Sequence, residues 1–398
     1  MRALQSSRQR VTIIGGSYSG LITGIALARL GLNVSLLEFN RVFKKTARDE
    51  PCKLLAISKN SLAIVQEYLG LNLAKYGQSI NQIKVLDHGD ASMCLDFNPP
   101  EAGLDNFGIM IDEFKLNSLL IKKASTIANL TLIEDFKVTD IKNDGDLASV
   151  YGSQGKCYES EIVLVCDGKN SHTKSLLGVE NYHKNYHQSA IVCDVSHEHN
   201  HMGVAVEKFT TQGPFAILPK KGGHDSSIVW TLPTELAQTV LKLDKISQLE
   251  LVAQKFDGHL GQLKIASKLK AYPLNLNYST TYCQGRFYIL GDALHSIHPL
   301  AGQGLNLSLR DCQFLVSSIK ESLALGLDIG SNAIINQYSK ARFIDNQAMI
   351  EGTNFLNGIF SNDSHFLKAA RIFGLDAINE LPSVKKYFML YASGLAGL

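Results

Sequence analysis

Two short apolar runs flank a segment with helical periodicity in the first forty residues of the chain. Residues 11–15 and 33–38 are short and largely apolar, a pattern typical of buried β-strands. Between them, residues 19–31 repeat apolar side chains at the three- and four-residue spacing of a helix. This order predicts a βαβ unit with a phosphate-binding turn after the first strand.

Further along, helical and strand patterns occupy separate stretches. Helical spacing predicts helices at about 58–69, 114–127 and 234–256, and again in the C-terminal part of the chain. Strand patterns fill 130–165 and 186–233, where turn clusters separate the apolar runs. This arrangement predicts a second sheet added to a nucleotide-binding fold.

The length of 398 residues exceeds what one hydrophobic core usually supports. We predict an α/β fold with a Rossmann-like nucleotide-binding domain, an inserted β-sheet domain that covers the substrate, and a helical C-terminus. The predicted boundaries are 1–75, 104–180 and 280–330 for the first domain, 76–103 and 181–279 for the second, and 331–398 for the helical region.

The apolar N-terminal segment also imitates a signal peptide or a membrane span, since roughly 20 apolar residues suffice to cross a bilayer. Arg29 interrupts the apolar run, and four glycines fall where a strand must turn into a helix: Gly15, Gly16, Gly20 and Gly24. We therefore favour the βαβ interpretation. No other segment has a membrane-spanning pattern, so any membrane contact is expected to be peripheral.

Composition narrows the function classes. Apolar residues make up 45% and charged residues 19% of the chain, which is typical of globular proteins. The net charge of +2 does not indicate a nucleic-acid-binding protein. The seven cysteines are an odd number without a C-x-x-C pair, so neither a disulfide framework nor a zinc ribbon is indicated. A reducing, cytoplasmic location fits these features.

The turn after the first strand reads GGSYSG. Gly15 and Gly20 match a dinucleotide fingerprint, but Ser17 occupies the position of its middle glycine, so that side chain must point away or donate its hydroxyl to a phosphate. Glu38, eighteen residues after Gly20, is placed to accept the ribose hydroxyls of an adenosine. The combination favours a bound dinucleotide. A plain NAD dehydrogenase turn and a turn without a ligand remain alternatives.

A second motif, CDGKNS, follows another apolar strand at residues 166–171. An Asp-Gly pair such as Asp167 and Gly168 is also common in ordinary turns. This motif therefore identifies a ligand only in combination with the others.

The most informative stretch is GDALHSIHPLAGQGLNLSLRD, which begins at Gly291. Asp292 follows a strand-like run, and a carboxylate there can accept hydrogen bonds from the ribityl hydroxyls of a flavin. Beyond the HP turn a helix is predicted to begin, and its unpaired N–H groups can face the N1/C2 carbonyl edge of a flavin, where negative charge gathers on reduction. Those N–H groups belong to the residues around Gly302, Gly304, Leu305 and Asn306. This stretch indicates bound flavin.

Together these motifs resemble those of the aromatic-ring flavoprotein monooxygenases, and most closely the ubiquinone-biosynthesis FAD-dependent hydroxylases. The resemblance covers nearly the whole chain, including GPFAILP, VWTLP, YPLNL and YSKARFIDN. It implies a para-hydroxybenzoate-hydroxylase-like fold with FAD as cofactor and NADPH or NADH as transient electron donor. In that family reduced FAD reacts with O2 at its 4a carbon, forming a hydroperoxide that transfers one oxygen atom to a phenol ring. A polyprenylated phenol and O2 are thus the implied substrates.

With the motifs, the resemblance places the FAD site on a set of residues from all parts of the first domain. They are Gly15, Ser17, Tyr18, Ser19, Gly20, Glu38, Lys53, Val138, Asp167, Gly168, Gly291, Asp292, Gly302, Gln303, Gly304, Leu305 and Asn306.

Two positions depart from the family pattern. Lys53 in PCKLLAIS stands where the family has an arginine that touches flavin or substrate, and lysine keeps the charge without the planar, bidentate fork. Lys53 is alternatively a solvated loop cation. The family usually has an arginine after the serine of DGKNS, and Lys174 is the nearest basic residue here, which leaves that dinucleotide contact open.

The segment HEHNH contains three histidines, and imidazole is a common metal ligand. The spacing of His197, His199 and His201 suits a turn between strands, and we expect no metal there. The family has a similar His-rich turn before an A-x-E-x-F strand, matched here by Ala205, Glu207 and Phe209.

His295 and His298 flank the predicted flavin turn. His298 and Pro299 are candidates for residues next to the flavin ring. Pro299 is expected to shape the turn. For the histidines, a packed structural role is at least as consistent with the sequence as an acid-base role. The sequence offers no obvious catalytic base.

The second sheet is expected to cover the flavin ring and exclude water from it. Candidate apolar covering residues are Phe209, Pro214, Phe215, Leu218 and Trp230, although strand alternation allows only some of them to face the ring.

A polyprenylated substrate resides in a membrane, so the resemblance also implies contact with a membrane surface or with other quinone-biosynthesis proteins. The C-terminal segment SVKKYFMLYASGLAGL combines Lys385 and Lys386 with aromatic residues, which suits an anionic surface, a partner or an ordinary packed helix. We expect a cytoplasmic protein with peripheral attachment to the inner face of the membrane.

Three functions remain in competition. The leading hypothesis is the FAD-dependent, NAD(P)H-driven ring hydroxylase. A flavin-dependent isoprenoid reductase would use the same fold without inserting oxygen. A non-catalytic assembly subunit that binds flavin weakly would explain Ser17, Lys53 and the missing arginine near Lys174.

Overall fold

A computed structural model describes residues 9–41, 53–87, 94–153, 155–258, 260–298, 302–360 and 378–395. The strands are β1 (Arg10–Ile14), β2 (Asn33–Leu37), β3 (Leu54–Ser58), β4 (Gln78–Ser79), β5 (Gln82–Asp87), β6 (Cys94–Phe97), β7 (Gly108–Asp112), β8 (Leu130–Ile133), β9 (Val138–Asp144), β10 (Leu147–Gly152), β11 (Cys157–Ser160), β12 (Ile162–Val165), β13 (Tyr182–His197), β14 (Val204–Thr210), β15 (Gly213–Pro219), β16 (Asp225–Pro233), β17 (Leu263–Ile265), β18 (Lys270–Tyr278), β19 (Cys283–Gln284), β20 (Phe287–Ile289) and β21 (His295–Ser296). The helices are α1 (Tyr18–Arg29), α2 (Lys59–Leu69), α3 (Glu113–Ala124), α4 (His172–Leu176), α5 (Thr234–Lys242), α6 (Lys245–Phe256), α7 (Gly304–Ala324), α8 (Asn332–Phe360) and α9 (Pro382–Ala392).

The nucleotide-binding part is built on a sheet in the order β19-β20-β12-β1-β2-β8. All neighbours are parallel except β19 and β20. Strand β12 is buried along its whole length and β1 along all but its first residue, which explains their nearly continuous apolar sequences. The predicted βαβ unit is confirmed as β1, α1 and β2, and α1 packs against α3 and α7.

A second, larger sheet has the order β21-β18-β13-β16-β15-β14-β5-β6, with β17 also paired to β13. Its pairs are antiparallel apart from β14 and β5. Strand β21 follows directly on the predicted flavin turn, so its pairing with β18 ties that turn to the second sheet.

The two faces of the second sheet have different neighbours. The back face carries Phe215 and Trp230 and packs on α5 and α6, with the Phe215 and Phe256 rings 6.1 Å apart. The expectation that Phe215 and Trp230 cover the flavin ring is therefore wrong, because strand alternation turns them to the helices. The front face carries Leu218, which packs on residues of β3 and β7 in the nucleotide-binding part, and alternation puts Phe209 and Pro214 on this face too.

The remaining elements complete the molecule. Strands β3, β7 and β4 form a small antiparallel sheet, and β9, β10 and β11 form a three-stranded meander. The C-terminal part consists of helices in the described residues, with α8 packed on α7. The predicted fold class, an α/β protein with a second β-sheet and a helical C-terminus, is confirmed. No helix within the described ranges is long and apolar enough to cross a membrane.

Candidate active site

The first glycine turn is closely packed. Gly15 has φ +106°, and a Cβ at this position would clash with the backbone carbonyl of Cys166. A Cβ at Gly20 would clash with the carbonyl oxygen of Gly15. The two glycines that match the fingerprint are therefore required by sterics, because they let the turn fold tightly between β1 and α1.

Ser17, the departure from the fingerprint, is the N-cap of α1. Its φ of −82° is accessible to any residue, its side chain is exposed, and it makes no capping hydrogen bond. The N–H of Leu21 donates the helical bond to the Ser17 carbonyl at 2.9 Å, so the N–H groups of Tyr18, Ser19 and Gly20 precede the ladder. The helix start therefore keeps its anion-binding donors, and a free hydroxyl stands beside them.

The structure brings the first and third motifs together. Gly291 has φ +60°, and a Cβ there would overlap the Ser19 hydroxyl. Ser19 is buried within this contact. Two turns separated by about 270 residues thus share one packed junction at the start of α1.

Glu38 directly follows β2, beside the same turn. One carboxylate oxygen accepts the Gly16 N–H at 2.7 Å, and the other accepts the Asn40 N–H at 2.8 Å. The second oxygen also accepts the Asn40 side-chain amide at 3.3 Å, so the oxygen bonded to Gly16 is the one that retains a lone pair for a ribose hydroxyl. Val138 is buried at the start of β9, after a segment whose Phe136 N–H donates to the Glu38 carbonyl at 3.0 Å.

Asp167 accepts hydrogen bonds from the N–H and hydroxyl of Thr173, at 3.1 and 2.9 Å, through one carboxylate oxygen. Its other oxygen is buried and has no partner among the described residues. Gly168 adopts φ +84° with open space around its missing Cβ. One oxygen of Asp167 thus caps the start of α4, and the other is an acceptor that remains unused.

Lys174 does not replace the missing arginine. Its side chain is 4% exposed, and its ammonium donates to the Asn181 side chain at 2.9 Å. Burial lowers the pKa of Lys174. This lysine serves the packing of its own turn.

Lys53 and Tyr18 lie on either side of Glu113. The Tyr18 hydroxyl donates to the Glu113 carboxylate at 3.3 Å, and the Glu113 N–H donates to the Lys53 carbonyl at 2.9 Å. Burial raises the pKa of Tyr18, and the charges of Glu113 and Asp292 raise it further. The Lys53 side chain is exposed, and its backbone is joined to the Tyr18 side of the site through Glu113.

Asp292 lies in the short 3-10 turn Gly291–Ala293. It is exposed and has no hydrogen-bond partner within the described part of the chain. An exposed, unpaired carboxylate at a packed turn suits the hydroxyls of a bound ligand.

A buried charge network lies behind this turn. Asp311 of α7 accepts hydrogen bonds from the Gly291 N–H at 3.3 Å, from His295 at 2.5 Å and from Arg342 of α8 at 2.7 Å. Burial opposes ionisation of Asp311, but the charges of His295 and Arg342 outweigh it and hold its pKa at about 2. Arg342 also pairs with Asp345. Sequence analysis missed this network, although YSKARFIDN, which contributes both residues of α8, was noted.

The second helix start is formed by α7. Its N-cap, Gln303, makes no side-chain capping bond, and the first helical bond runs from the Leu307 N–H to the Gln303 carbonyl at 2.9 Å. The N–H groups of Gly304, Leu305 and Asn306 precede it. Gly302, with φ +63°, is the exposed residue before this start.

The Asn306 side chain has a structural task. It accepts the Ser58 N–H at 2.9 Å and donates to the Ala56 carbonyl at 3.2 Å. These bonds fix β3 against α7, so only the backbone N–H of Asn306 remains for a ligand.

Comparison with known proteins decides the family. The FAD binding domain family matches residues 8–353, most of the chain. A ubiquinone hydroxylase, UbiL, of Rhodospirillum rubrum is 32% identical over 96% of this chain and 89% of its own length. This chain belongs to the ubiquinone-biosynthesis hydroxylase family of FAD-binding proteins.

Two further comparisons agree with this assignment. The 3-demethoxyubiquinol 3-hydroxylase of Escherichia coli is 26% identical over 97% of this chain and 98% of its own. The crystal structure of p-nitrophenol 4-monooxygenase PnpA of Pseudomonas putida superposes with a TM-score of 0.79 at 17% identity, covering 98% of both chains, and shows the same fold. The chain is an FAD-dependent oxidoreductase.

The site of this flavoprotein fits FAD. The unpartnered oxygen of Asp167, the exposed carboxylate of Asp292 and two uncapped helix starts are unused polar groups that a dinucleotide can satisfy.

His298 of the flavoprotein is buried, and its ring meets Tyr186 edge to face at 5.1 Å. Burial lowers the pKa of His298 to about 4, so the imidazole is neutral near pH 7. Pro299, its predicted neighbour in the site, lies outside the described residues.

The histidines of HEHNH are used in the turn between β13 and β14. The two ring nitrogens of His197 bond to the His199 carbonyl at 2.7 Å and the Ser226 hydroxyl at 3.0 Å. His201 bonds to the Lys220 carbonyl at 2.7 Å. Among the described residues, no group of three or more possible ligands is arranged to hold a metal ion.

Proposed function

We propose that this chain is an FAD-dependent monooxygenase that hydroxylates the aromatic ring of a polyprenylated phenol in ubiquinone biosynthesis. The observation that carries the proposal is the junction of three distant segments, the α1 turn, the Gly291–Asp292 turn and the α7 start, beneath the front face of the second sheet. NAD(P)H supplies two electrons and O2 supplies the oxygen, so that one oxygen atom enters the ring and the other leaves as water.

Bound FAD supplies the oxygen chemistry, while the protein supplies binding, orientation and a dry site. We assign the dinucleotide to the α1 start and Glu38, and the ribityl chain to Asp292. The donors of Gly304 and Leu305 at the α7 start would stabilise negative charge on the reduced ring. The front face of the second sheet would exclude water from that ring.

Peripheral contact with a membrane is part of the proposal, because the expected substrate carries a polyprenyl chain. Helix α9 exposes Tyr387 and Phe388, while Met389 is buried against the nucleotide-binding part. The Lys385 ammonium pairs with Glu101 at 2.8 Å, so it is less available to a lipid headgroup. The aromatic side chains are therefore the better candidates for contact with the inner face of the membrane.

The assembly-subunit alternative is not favoured. It rested partly on Ser17, whose backbone needs no glycine and whose side chain leaves the helix start open. An isoprenoid reductase would need the same cofactor site, so only the fate of oxygen separates it from the hydroxylase.

The test uses the purified, FAD-loaded chain with NADPH or NADH, a short-chain prenylphenol and O2 labelled with the heavy isotope of oxygen. We expect one labelled atom in the ring of the product, detected by mass spectrometry. Electron consumption with hydrogen peroxide as the sole product, or reduction of the prenyl chain, would refute the hydroxylase.

The ring position requires a second experiment. Hosts that each lack one of their own ring hydroxylases would receive this chain, and their quinone lipids would be measured by mass spectrometry. Restored ubiquinone in one host identifies the carbon by the oxygen missing from the accumulated intermediate.

A further inference from the structure

Glu207 is an ionisable residue on the front face of the second sheet. On β14, Val206 packs into the back-face core and the Lys208 ammonium donates to the Lys255 carbonyl of α6, so both side chains point to the helices. Ala205 packs on the opposite side, among residues of β3 and β7. Strand alternation therefore places Glu207 on the front face.

The surroundings of Glu207 are apolar. It lies opposite Ala216 on β15 and Val85 on β5. The same row continues with Val229 on β16 and Leu95 on β6. These apolar neighbours offer a carboxylate neither a hydrogen bond nor an opposite charge.

Glu207 also lacks a polar partner. Its side chain is partly buried, and no described residue donates a hydrogen bond to its carboxylate or forms an ion pair with it. Burial, the sole cause, raises the pKa of Glu207 to about 7. Desolvating an unpaired carboxylate costs free energy, so its presence suggests a ligand that completes its hydrogen bonds.

The position relative to the flavin site is suitable. The second sheet meets the nucleotide-binding part at two places. On the front face, Ala205 and Leu218 lie in one cluster with Leu54 and Ala56 of β3, and near the start of β13 the Tyr186 ring contacts His298. Ala56 is also the residue nearest to Gly302, before the α7 start. Along the strand direction, the row that contains Glu207, Ala216, Val229 and Val192 lies between the Ala205 contact and the Tyr186 end of β13.

We propose that the Glu207 carboxylate accepts a hydrogen bond from the phenolic hydroxyl of the substrate and so orients the ring beneath the second sheet. The inference rests on the proposed function and adds the recognition group. An apolar row with a single acceptor matches an aromatic ring with a single O–H donor. A carboxylate acceptor also draws the phenol proton away from its oxygen, which makes the ring richer in electrons.

The other ionisable groups near this face are accounted for. They include Asp87 on β5, Asp194 on β13 with its partner Lys220, Lys270 on β18, Lys53 before β3, Asp112 on β7, Lys385 on α9, and the pair of Tyr186 and His298. Burial holds the pKa of His298 at about 4, so it does not change charge near pH 7. None of these described groups contributes to the raised pKa of Glu207, which has burial as its cause. A pH effect centred near 7 that disappears in Glu207 variants is therefore attributable to this residue.

The experiment measures binding without turnover. The FAD-loaded chain, with no NAD(P)H present, is titrated with a short-chain 2-prenylphenol and with its O-methyl ether, and the flavin absorbance reports binding. The variants are Glu207→Leu and Glu207→Gln. The control is Glu250→Gln, which removes the same charge from the exposed side of α6 behind the sheet. Flavin content and melting temperature check that each variant is folded.

We expect the wild type and the control to bind the phenol about 10- to 100-fold more tightly than the ether, the range for a hydrogen bond to a charged group. Wild-type affinity for the phenol should rise as pH increases through about 7, since the ionised carboxylate is the stronger acceptor. Glu207→Leu should lose the preference, and Glu207→Gln should lose its pH dependence.

The outcomes separate the two proposals. If the wild type binds and hydroxylates the phenol while Glu207→Leu keeps the full preference, the inference about Glu207 is wrong and the function stands. If Glu207→Leu fails to fold, an unchanged pH dependence in Glu207→Gln overturns the inference. If the wild type binds neither probe and hydroxylates no phenol, the proposed function fails with it.

Discussion

Gly15 and Gly31 both have a positive φ, +106° and +95°, but only one of them is crowded. A Cβ on Gly31 would meet nothing within 4 Å, whereas one on Gly15 would clash with the Cys166 carbonyl. Substituting each glycine by alanine therefore distinguishes the effect of a positive φ on the free energy of unfolding from the effect of a steric clash. Only the second is specific to the nucleotide turn.

We predict that Gly31→Ala lowers the free energy of unfolding by about 1 kcal/mol and leaves FAD content unchanged. Gly15→Ala should lower it by roughly 3 kcal/mol or more, because β1 and the Cys166 turn must separate, and should reduce FAD affinity. Chemical denaturation and the flavin absorbance of the purified variants measure both effects. Equal FAD content in the two variants would contradict the assigned turn.

At the scale of elements, α7 connects the flavin turn to the C-terminal helices. Asp311 holds the Gly291 N–H, His295 and Arg342 at one buried point, so the turn, α7 and α8 are fixed together. At the other end of α7, Asp328 pairs with Arg286 at 2.8 Å, but its side chain is 45% exposed. These two carboxylates give a matched comparison.

We predict that Asp311→Asn lowers the free energy of unfolding by about 3 kcal/mol, because the buried Arg342 then keeps Asp345 as its one carboxylate partner and His295 loses its ion pair. FAD affinity should fall as well, since the amide offers a single acceptor oxygen where Asp311 uses two to hold Gly291, His295 and Arg342. Asp328→Asn should cost about 1 kcal/mol or less and leave FAD affinity unchanged. Denaturation curves and FAD titration of the apoproteins measure these effects.

The pH dependence has a defined sign. Because the pKa of Asp311 is held at about 2, below its usual 3.8, its stabilising contribution is present above about pH 4 and is lost as pH falls towards 2. The difference between wild type and Asp311→Asn should therefore be constant near neutral pH and shrink below about pH 4. A difference that stays constant in acid would show that ionisation of Asp311 is unimportant.

At the scale of the whole molecule, the proposed FAD site draws on β1 and α1, on the turn after β20, and on α7. These segments come together only in the folded chain. A ligand that binds this folded arrangement and not the unfolded chain must stabilise the protein as a whole.

We predict that free FAD at about 100 times its dissociation constant stabilises the apoprotein by about 2.7 kcal/mol and raises its melting temperature. Asp292→Ala should need a higher FAD concentration for the same shift, because a ribityl contact is lost. The exposed His199 lies in the turn between β13 and β14, so His199→Ala should behave as the wild type. Thermal melts over an FAD series test this, and identical curves for wild type and Asp292→Ala would remove Asp292 from the site.

The sequence by itself determined the βαβ unit, the fold class and the family. These features depend on local periodicity and on short motifs whose residue types are dictated by backbone close in sequence, as at Gly20, where a Cβ would clash with the Gly15 carbonyl. Strand alternation was also readable in principle, yet which face Phe215 and Trp230 occupy depended on where α5 and α6 pack. That contact joins separate segments and leaves no local pattern.

Only the tertiary structure decided the environments of charged groups. The sequence left open whether Lys174 makes the dinucleotide contact of the missing arginine, and its burial and its bond to Asn181 are seen only in the structure. Asp311 and Arg342 are 31 residues apart, and Glu207 acquires its unusual pKa from the apolar side chains of neighbouring strands. Electrostatic free energies depend on distance and burial in three dimensions, so residue types alone do not specify them.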